Sequence, residues 1–169
     1  SGELGLYRVL VERYISRLRR YTLRLLLSVD DAEDVVQDVL LKAYANLRGF
    51  DTKRSFSTWI YRIAHNECVN ALKKRHREPV PFFDPDVLFP HPVAKETAAD
   101  AAERDELLNT IERFLEQLDP KYREVVVLHY IEERPYKEIA DILRVPISTV
   151  GVRLKRARDH LQRCRTREA

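Results

Sequence analysis

A chain of 169 residues with 44% hydrophobic and 34% charged side chains has room for one ordinary domain or two small ones, and its 4 glycines argue against a turn-rich all-β fold. No apolar run approaches the roughly 20 residues needed to span a bilayer, and arginines interrupt the first apolar stretch, so neither a membrane span nor a signal peptide is expected. The net charge of +3 hides its distribution: residues 1–78 hold 15 Lys and Arg against 10 Asp and Glu, residues 79–106 hold 2 against 7, and residues 107–169 hold 13 against 10. Two basic blocks flanking an acidic connector suggest a polyanionic partner, although a solvated charged face would look the same. Cys68 and Cys164 lie far apart and fit a reducing cytoplasm better than a disulfide framework. Because the chain opens on Ser1-Gly2 and holds no Met, its native first residues are expected to be missing.

The first block reads as helices throughout. Tyr7, Val11, Tyr14, Leu18, Tyr21 and Leu25 recur at helical spacing and line one face, with Arg13, Arg17, Arg20 and Arg24 in a parallel stripe beside it. A second helix is predicted from near Asp30 or Asp31, either a good N-cap, with Glu33 and Asp34 in its first turn. It runs to about Leu47 and buries Val36, Val39 or Leu40, Ala43 and Leu47, with Gly49 as its stop. A third helix begins after Ser55 or Ser57 and continues to about His76. Phe56, Ile60, Ile63, Ala64, Cys68, Ala71 and Leu72 share its apolar face.

Pro79, Pro81, Pro85, Pro90 and Pro92 cannot sit inside a helix, so an extended linker follows. Its Phe82, Phe83, Val87, Leu88 and Phe89 are unusual for a free linker and suggest that it docks. The second block is helical again. Leu108, Ile111, Leu115 and Leu118 line one helix, and Asp119-Pro120 restarts the chain as N-cap and first helical position. The next helix carries Val125, Val126 and Leu128. Pro135 opens a short helix with Tyr136, Ile139, Ala140 and Leu143 inward. After Arg144-Val145-Pro146, a last helix buries Val150, Leu154, Ala157 and Leu161. The fold expected is all-α: two small helical domains joined by a Pro-rich linker, with boundaries at 1–78, 79–104 and 105–169.

Two stretches carry chemistry. From Pro135 to Arg158, two helices joined by about three residues, the second rich in basic groups, form a helix-turn-helix pattern. Ala140 suits a tight helix crossing, and Ser148 or Thr149 is placed to cap the second helix near a phosphate. Val152, Lys155 and Arg156 are expected to point away from Val150 and Leu154, toward a major groove. In the first block, the third helix opposes its apolar face with Arg62, Asn66, Asn70, Lys73 and Arg77, to which Lys74 and Arg75 add charge. Cations among asparagines suit nucleic acid, because cations hold phosphates and amides read base edges. Phe50, Phe56 and Trp59 can stack on unpaired bases, or they are core and the basic run is a solvated helix end. His65 and Cys68 stand one helical turn apart, but Cys68 lies in the apolar stripe and two ligands close no zinc site. No phosphate-binding glycine loop or nucleophile motif is present, so no metal, no cofactor and no enzymatic activity are expected.

Asp31-Ala-Glu-Asp-Val-Val-Gln-Asp38 and Phe56-Ser-Thr-Trp-Ile-Tyr-Arg-Ile-Ala-His-Asn66 resemble conserved region two of the extracytoplasmic-function sigma factors. Leu118-Asp-Pro-Lys-Tyr-Arg-Glu-Val-Val126, Tyr136-Lys-Glu-Ile-Ala140, Ser148-Thr-Val150 and Arg153-Leu-Lys-Arg-Ala-Arg158 resemble their region four, so the likeness covers nearly the whole chain in order. The resemblance implies that Asp34, Gln37 and Asp38 dock on the clamp helices of core RNA polymerase, whose flap is a second contact. It implies that the loop from Phe50 to Phe56, with Arg54 and Ser55, captures a flipped minus-ten base, and that Asn66, close to Trp59, contacts the same element. Ser148, Thr149, Val152, Arg153, Lys155 and Arg156 fall on the helix that reads the minus-thirty-five duplex. The linker resembles the connector that threads toward the polymerase active site and RNA exit path. An anti-sigma protein is implied as a further partner. Arg144 and Ser148 stand where the family often has Gly, Gly151 where it is often basic and Val152 where it is often Ser. Arg144 is therefore expected to be strained or reshaped in a left-handed turn. The competing readings are a stand-alone helix-turn-helix regulator and an adaptor that binds polymerase without reading DNA.

Overall fold

The computed structural model describes residues 2–76 and 115–168, in two compact units, Ser1–Val80 and Pro81–Ala169. The architecture is all-α, with no strand among the described residues. Arg77, the linker over 79–104, Leu108 and Ile111 lie outside the described residues.

In the first unit α1 (Gly2–Leu26), α2 (Val29–Asn46) and α3 (Phe56–His76) each pack on the other two. Tyr14, Leu18, Tyr21 and Leu25 are buried as their spacing predicts, joined by Thr22 and Leu26, while Tyr7 and Val11 are half-buried. Each such leucine stabilises the unit by roughly 1.5–3 kcal/mol relative to exposure. The α1–α2 corner turns on Leu27, whose backbone is left-handed (φ 54). Its N–H donates to the Leu23 carbonyl at 2.8 Å. Ser28 is then extended, and its hydroxyl accepts from the Asp31 N–H at 3.3 Å. The cap is thus Ser28 rather than Asp30 or Asp31, because Leu27 ends the preceding helix before either aspartate is reached. The aspartates occupy the first turn, where their charge complements the helix dipole.

Ala32, Val35, Val36, Val39 and Ala43 form the buried face of α2, whereas Leu40 and Leu47 are only half-buried. A 3-10 turn over Leu47–Gly49 ends the helix. Gly49 does not have positive φ, so the stop needs no glycine conformation. Ser55 caps α3: its hydroxyl accepts from the Thr58 N–H at 3.3 Å and its carbonyl from the Trp59 N–H at 3.1 Å. The buried face of α3 is Ile60, Tyr61, Ala64, Glu67 and Cys68, with Phe56, Ile63, Ala71 and Leu72 half-buried at its margins.

In the second unit a 3-10 turn (Leu115–Gln117) leads into α4 (Pro120–Val126), with Asp119 accepting from the Lys121 N–H at 3.1 Å and proline in the first turn. Arg123 of α4 is buried and donates to the carbonyls of Leu115 (2.8 Å) and Leu118 (2.9 Å), satisfying backbone acceptors that the short turn leaves open. A wide π-type turn, Val127–Ile131, follows, then Pro135 and α5 (Tyr136–Leu143). Arg144 is left-handed (φ 55, ψ 45), and the Val145 N–H reaches back to the Ala140 carbonyl at 3.2 Å. The glycine-like conformation is therefore kept with an arginine in it. The last helix, α6 (Ile147–Glu168), packs on α4 and α5. The Pro146 carbonyl accepts from the Thr149 N–H at 3.0 Å, so Ser148 and Thr149 lie inside the helix instead of capping it.

Candidate nucleic-acid interface

Two concavities flank α3. A pocket of about 350 Å3 is lined by Lys42, Asn46, Gly49, Trp59, Ile63, Asn66 and Glu67. It exists because α2 ends at Asn46 and the 3-10 turn swings the chain away, leaving a gap opposite the first turns of α3. Lys42 Nζ stands 2.6 Å from Glu67 Oε1 across its floor, and the Glu67 side chain is only 11% exposed. Asn66 is exposed at the rim and Trp59 is half-buried. The indole packs on Phe50 (centroids 5.0 Å apart) and Phe56 (5.3 Å), and Phe56 packs on Tyr14 (5.4 Å). The three aromatic residues are thus both core and surface, each half-buried: their mutual contacts hold the Phe50–Phe56 loop, and Trp59 lines the pocket. In that loop Asp51 accepts from the Lys53 N–H and pairs with Arg54 at 3.6 Å. Arg54 is exposed, and Ser55 is occupied as the helix cap.

The second concavity, about 580 Å3, lies between α2 and α3 and brings Asp34, Gln37 and Asp38 together with Asn70 and Lys74. Asn70 thus lines the α2 groove while remaining exposed. Arg75, expected to add charge for DNA, is a clamp instead. It donates to the Leu26 carbonyl at 2.9 Å and to the Asp31 carboxylate, tying the end of α3 to the α1–α2 corner. The hydrogen bond from Arg75 holds the Asp31 carboxyl below the usual carboxylate range.

On α6 the buried arc is wider than one apolar stripe. Thr149 (0% exposed), Val152 (8%) and Arg153 (7%) are buried along with Val150, Leu154, Ala157 and Leu161. The outward orientation expected for Val152 is thereby corrected, and Thr149 and Arg153 do not present a free face either. A helix seated on two others is covered over more than half its circumference. Lys155 is exposed. Ser148, Gly151 and Arg158 share its flank at helical spacing, each half-buried, so Arg158 joins the candidate residues. Its i+3 spacing from Lys155 was a signal available in the sequence. Arg156 is exposed but leans toward α4, with Nη1 3.4 Å from the Tyr122 hydroxyl, beside a cleft of about 470 Å3 that also takes in Asp119, Asp159 and His160. Lys42, Asn46 and Glu67 escaped sequence reading because the pocket joins two helices and no local spacing links them. Among the described residues no cluster of metal-binding side chains occurs, and no helix is long and apolar enough to cross a membrane.

Two helices joined by three residues and packed on each other make the second unit a helix-turn-helix module. The Sigma-70 region 2 family matches residues 10–78 and the Sigma-70 region 4 family residues 108–161. The chain is 35% identical over 171 residues to the ECF RNA polymerase sigma factor SigW of Bacillus subtilis, spanning 96% of this chain and 90% of that relative. It is 32% identical over 166 residues to the ECF RNA polymerase sigma-E factor of Escherichia coli K12, spanning 94% and 86%. Among solved structures, the sigma factor RpoE in complex with the anti-sigma factor NepR from Bartonella quintana is similar with a TM-score of 0.66 and 29% identity, over 93% of this chain and 94% of that one. CnrH in complex with the cytosolic domain of CnrY matches with a TM-score of 0.66 and 25% identity, over 96% and 89%. The chain belongs to the extracytoplasmic-function sigma factors, which are non-enzymatic factors of transcription initiation.

Proposed function

We propose that this sigma factor binds core RNA polymerase through Asp34, Gln37 and Asp38 of α2, reads the minus-thirty-five duplex with α6, and traps an unpaired minus-ten base in the pocket between α2 and α3. The pocket carries the reading: an indole face, two asparagine amides and a paired carboxylate converge on one concavity behind a loop held by its own aromatic residues. A base inside a duplex cannot enter it, so its binding energy favours the opened state, and strand separation is selected by differential affinity. Arg62 and Lys73 supply phosphate contacts alongside. On α6, Lys155, Arg158 and Ser148 meet the duplex, and Arg156 takes part from the α4 side. One similar structure is a sigma factor in complex with an anti-sigma factor, and an anti-sigma partner in the cytoplasm fits this chain too, with the groove of Asp34, Gln37 and Asp38 as a surface such a partner would cover.

Run-off transcription with core enzyme tests the reading. Wild-type protein yields promoter-selective transcripts, and Asn66→Ala weakens promoter binding by about 1–3 kcal/mol. The loss is concentrated on templates that must melt. Unchanged open-complex formation by Asn66→Ala would remove the pocket from the mechanism. A stand-alone regulator would instead shift duplex DNA without polymerase.

A further inference from the structure

Arg13, Arg17, Arg20 and Arg24 each precede a buried residue of α1, namely Tyr14, Leu18, Tyr21 and Leu25. They therefore stand on one flank of the helix, about 100° round from the core ridge. The flank on the other side of the ridge belongs to α2: the Thr22 hydroxyl donates to the Ala32 carbonyl at 3.5 Å, and Arg19 meets Glu33 at 3.2 Å. Along the ridge itself lies α3, with Tyr14 on Phe56 and Tyr21 on Tyr61, ring centroids 5.4 Å apart in both pairs. The arginine flank is thus the side of α1 turned away from α2 and next to α3. On α3 the Lys42–Glu67 pair and the groove residues Asn70 and Lys74 mark the side turned toward α2. Arg62 and Lys73 fall within about 40° of Asn66, on the outward side of α3. The unit accordingly carries cations on the free flank of α1 and on the outward side of α3, while the aspartates of α2 line the groove between α2 and α3. Arg13 and Arg17 are exposed and make no ion pair with any described residue.

We infer that the α1 stripe is a phosphate-binding surface that holds the DNA backbone beside the strand whose base enters the α3 pocket; this rests on the promoter reading above. From Arg13 to Arg24 the stripe extends about 17 Å, roughly five phosphate spacings of one strand measured along the duplex axis. The contacts position the DNA and carry no sequence preference, because a guanidinium on a phosphate reads charge alone.

The test uses the full chain with core RNA polymerase and a promoter fragment titrated across salt concentrations. The double variant Arg13→Gln/Arg17→Gln makes the slope of log affinity against log salt shallower by about 1.4 to 1.8, as expected for two lost phosphate contacts. Its loss is the same on every minus-ten sequence, and its thermal melt matches wild type. Arg8→Gln, whose arginine pairs with Glu12 along the same helix, keeps the wild-type slope. An unchanged slope in the double variant overturns the inference. So does a fall in affinity for core enzyme without DNA, which would make the stripe a protein-docking surface. Asn66→Ala in the same assay separates the two levels: if it weakens promoter binding while the arginine variant does not, only the stripe is lost. If neither has an effect, the promoter reading itself fails.

Discussion

The two units present their candidate DNA contacts in opposite shapes. In the first, the side chains converge on a hollow between α2, the 3-10 turn and α3, so that Lys42, Asn46, Trp59, Asn66 and Glu67 meet although they come from separate elements. In the second, Ser148, Lys155 and Arg158 lie along the outward flank of one helix braced by two others. A hollow suits a base that has left its stack, and a ridge suits an intact major groove. On the proposed reading, the difference teaches that single-strand capture belongs to a junction of elements, whereas duplex reading belongs to one helix surface.

The sharpest way to break this comparison is to loosen each shape at its core. Leu18→Ala in the first unit and Leu154→Ala in the second each remove a fully buried leucine and are expected to cost about 2–5 kcal/mol of stability in denaturant melts. The Leu18 variant loses affinity for pre-melted fork DNA, and the Leu154 variant loses affinity for minus-thirty-five duplex. The same loss on both templates for both variants would erase the distinction. A smaller effect, about 1–3 kcal/mol, follows from Lys155→Ala. It appears in holoenzyme binding to duplex and is absent on fragments carrying only the minus-ten region.

The turns sharpen the contrast further. Leu27 and Arg144 both hold left-handed backbone without being glycine, a conformation that costs side-chain-bearing residues about 1–2 kcal/mol. Arg144→Gly relieves that strain but gives the unfolded chain more freedom, so the net gain is expected near 1 kcal/mol or below, read as a raised melting midpoint. The smallest effect is one of pH. Because Arg75 depresses the Asp31 pKa from its ordinary 3.8, their contribution is complete above that value and fades as pH falls through the lower folded-state value. Asp31→Asn should therefore melt below wild type at neutral pH and converge with it in acid. A gap that persists in strong acid would assign Asp31 a role other than its charge.

Much of this was legible beforehand because helix packing leaves a 3.6-residue imprint. The α1 ridge, the Asp119-Pro120 start and the inward residues of α5 could all be read from the order of residues, since each depends on neighbours within about one turn, whereas the left-handed Arg144 was expected only from the family resemblance. Tertiary structure alone decided the rest. Ser28 became the cap because Leu27 ended α1 just before it. Arg75 became a clamp because the end of α3 meets the α1–α2 corner. Val152, Thr149 and Arg153 were buried because α6 is covered by more than one partner, which widens the apolar arc beyond what one stripe predicts. The pocket is the plainest case. Lys42 and Glu67 are 25 positions apart in the chain, and only the packing of α2 on α3 could place an ammonium and a carboxylate face to face beneath Asn66.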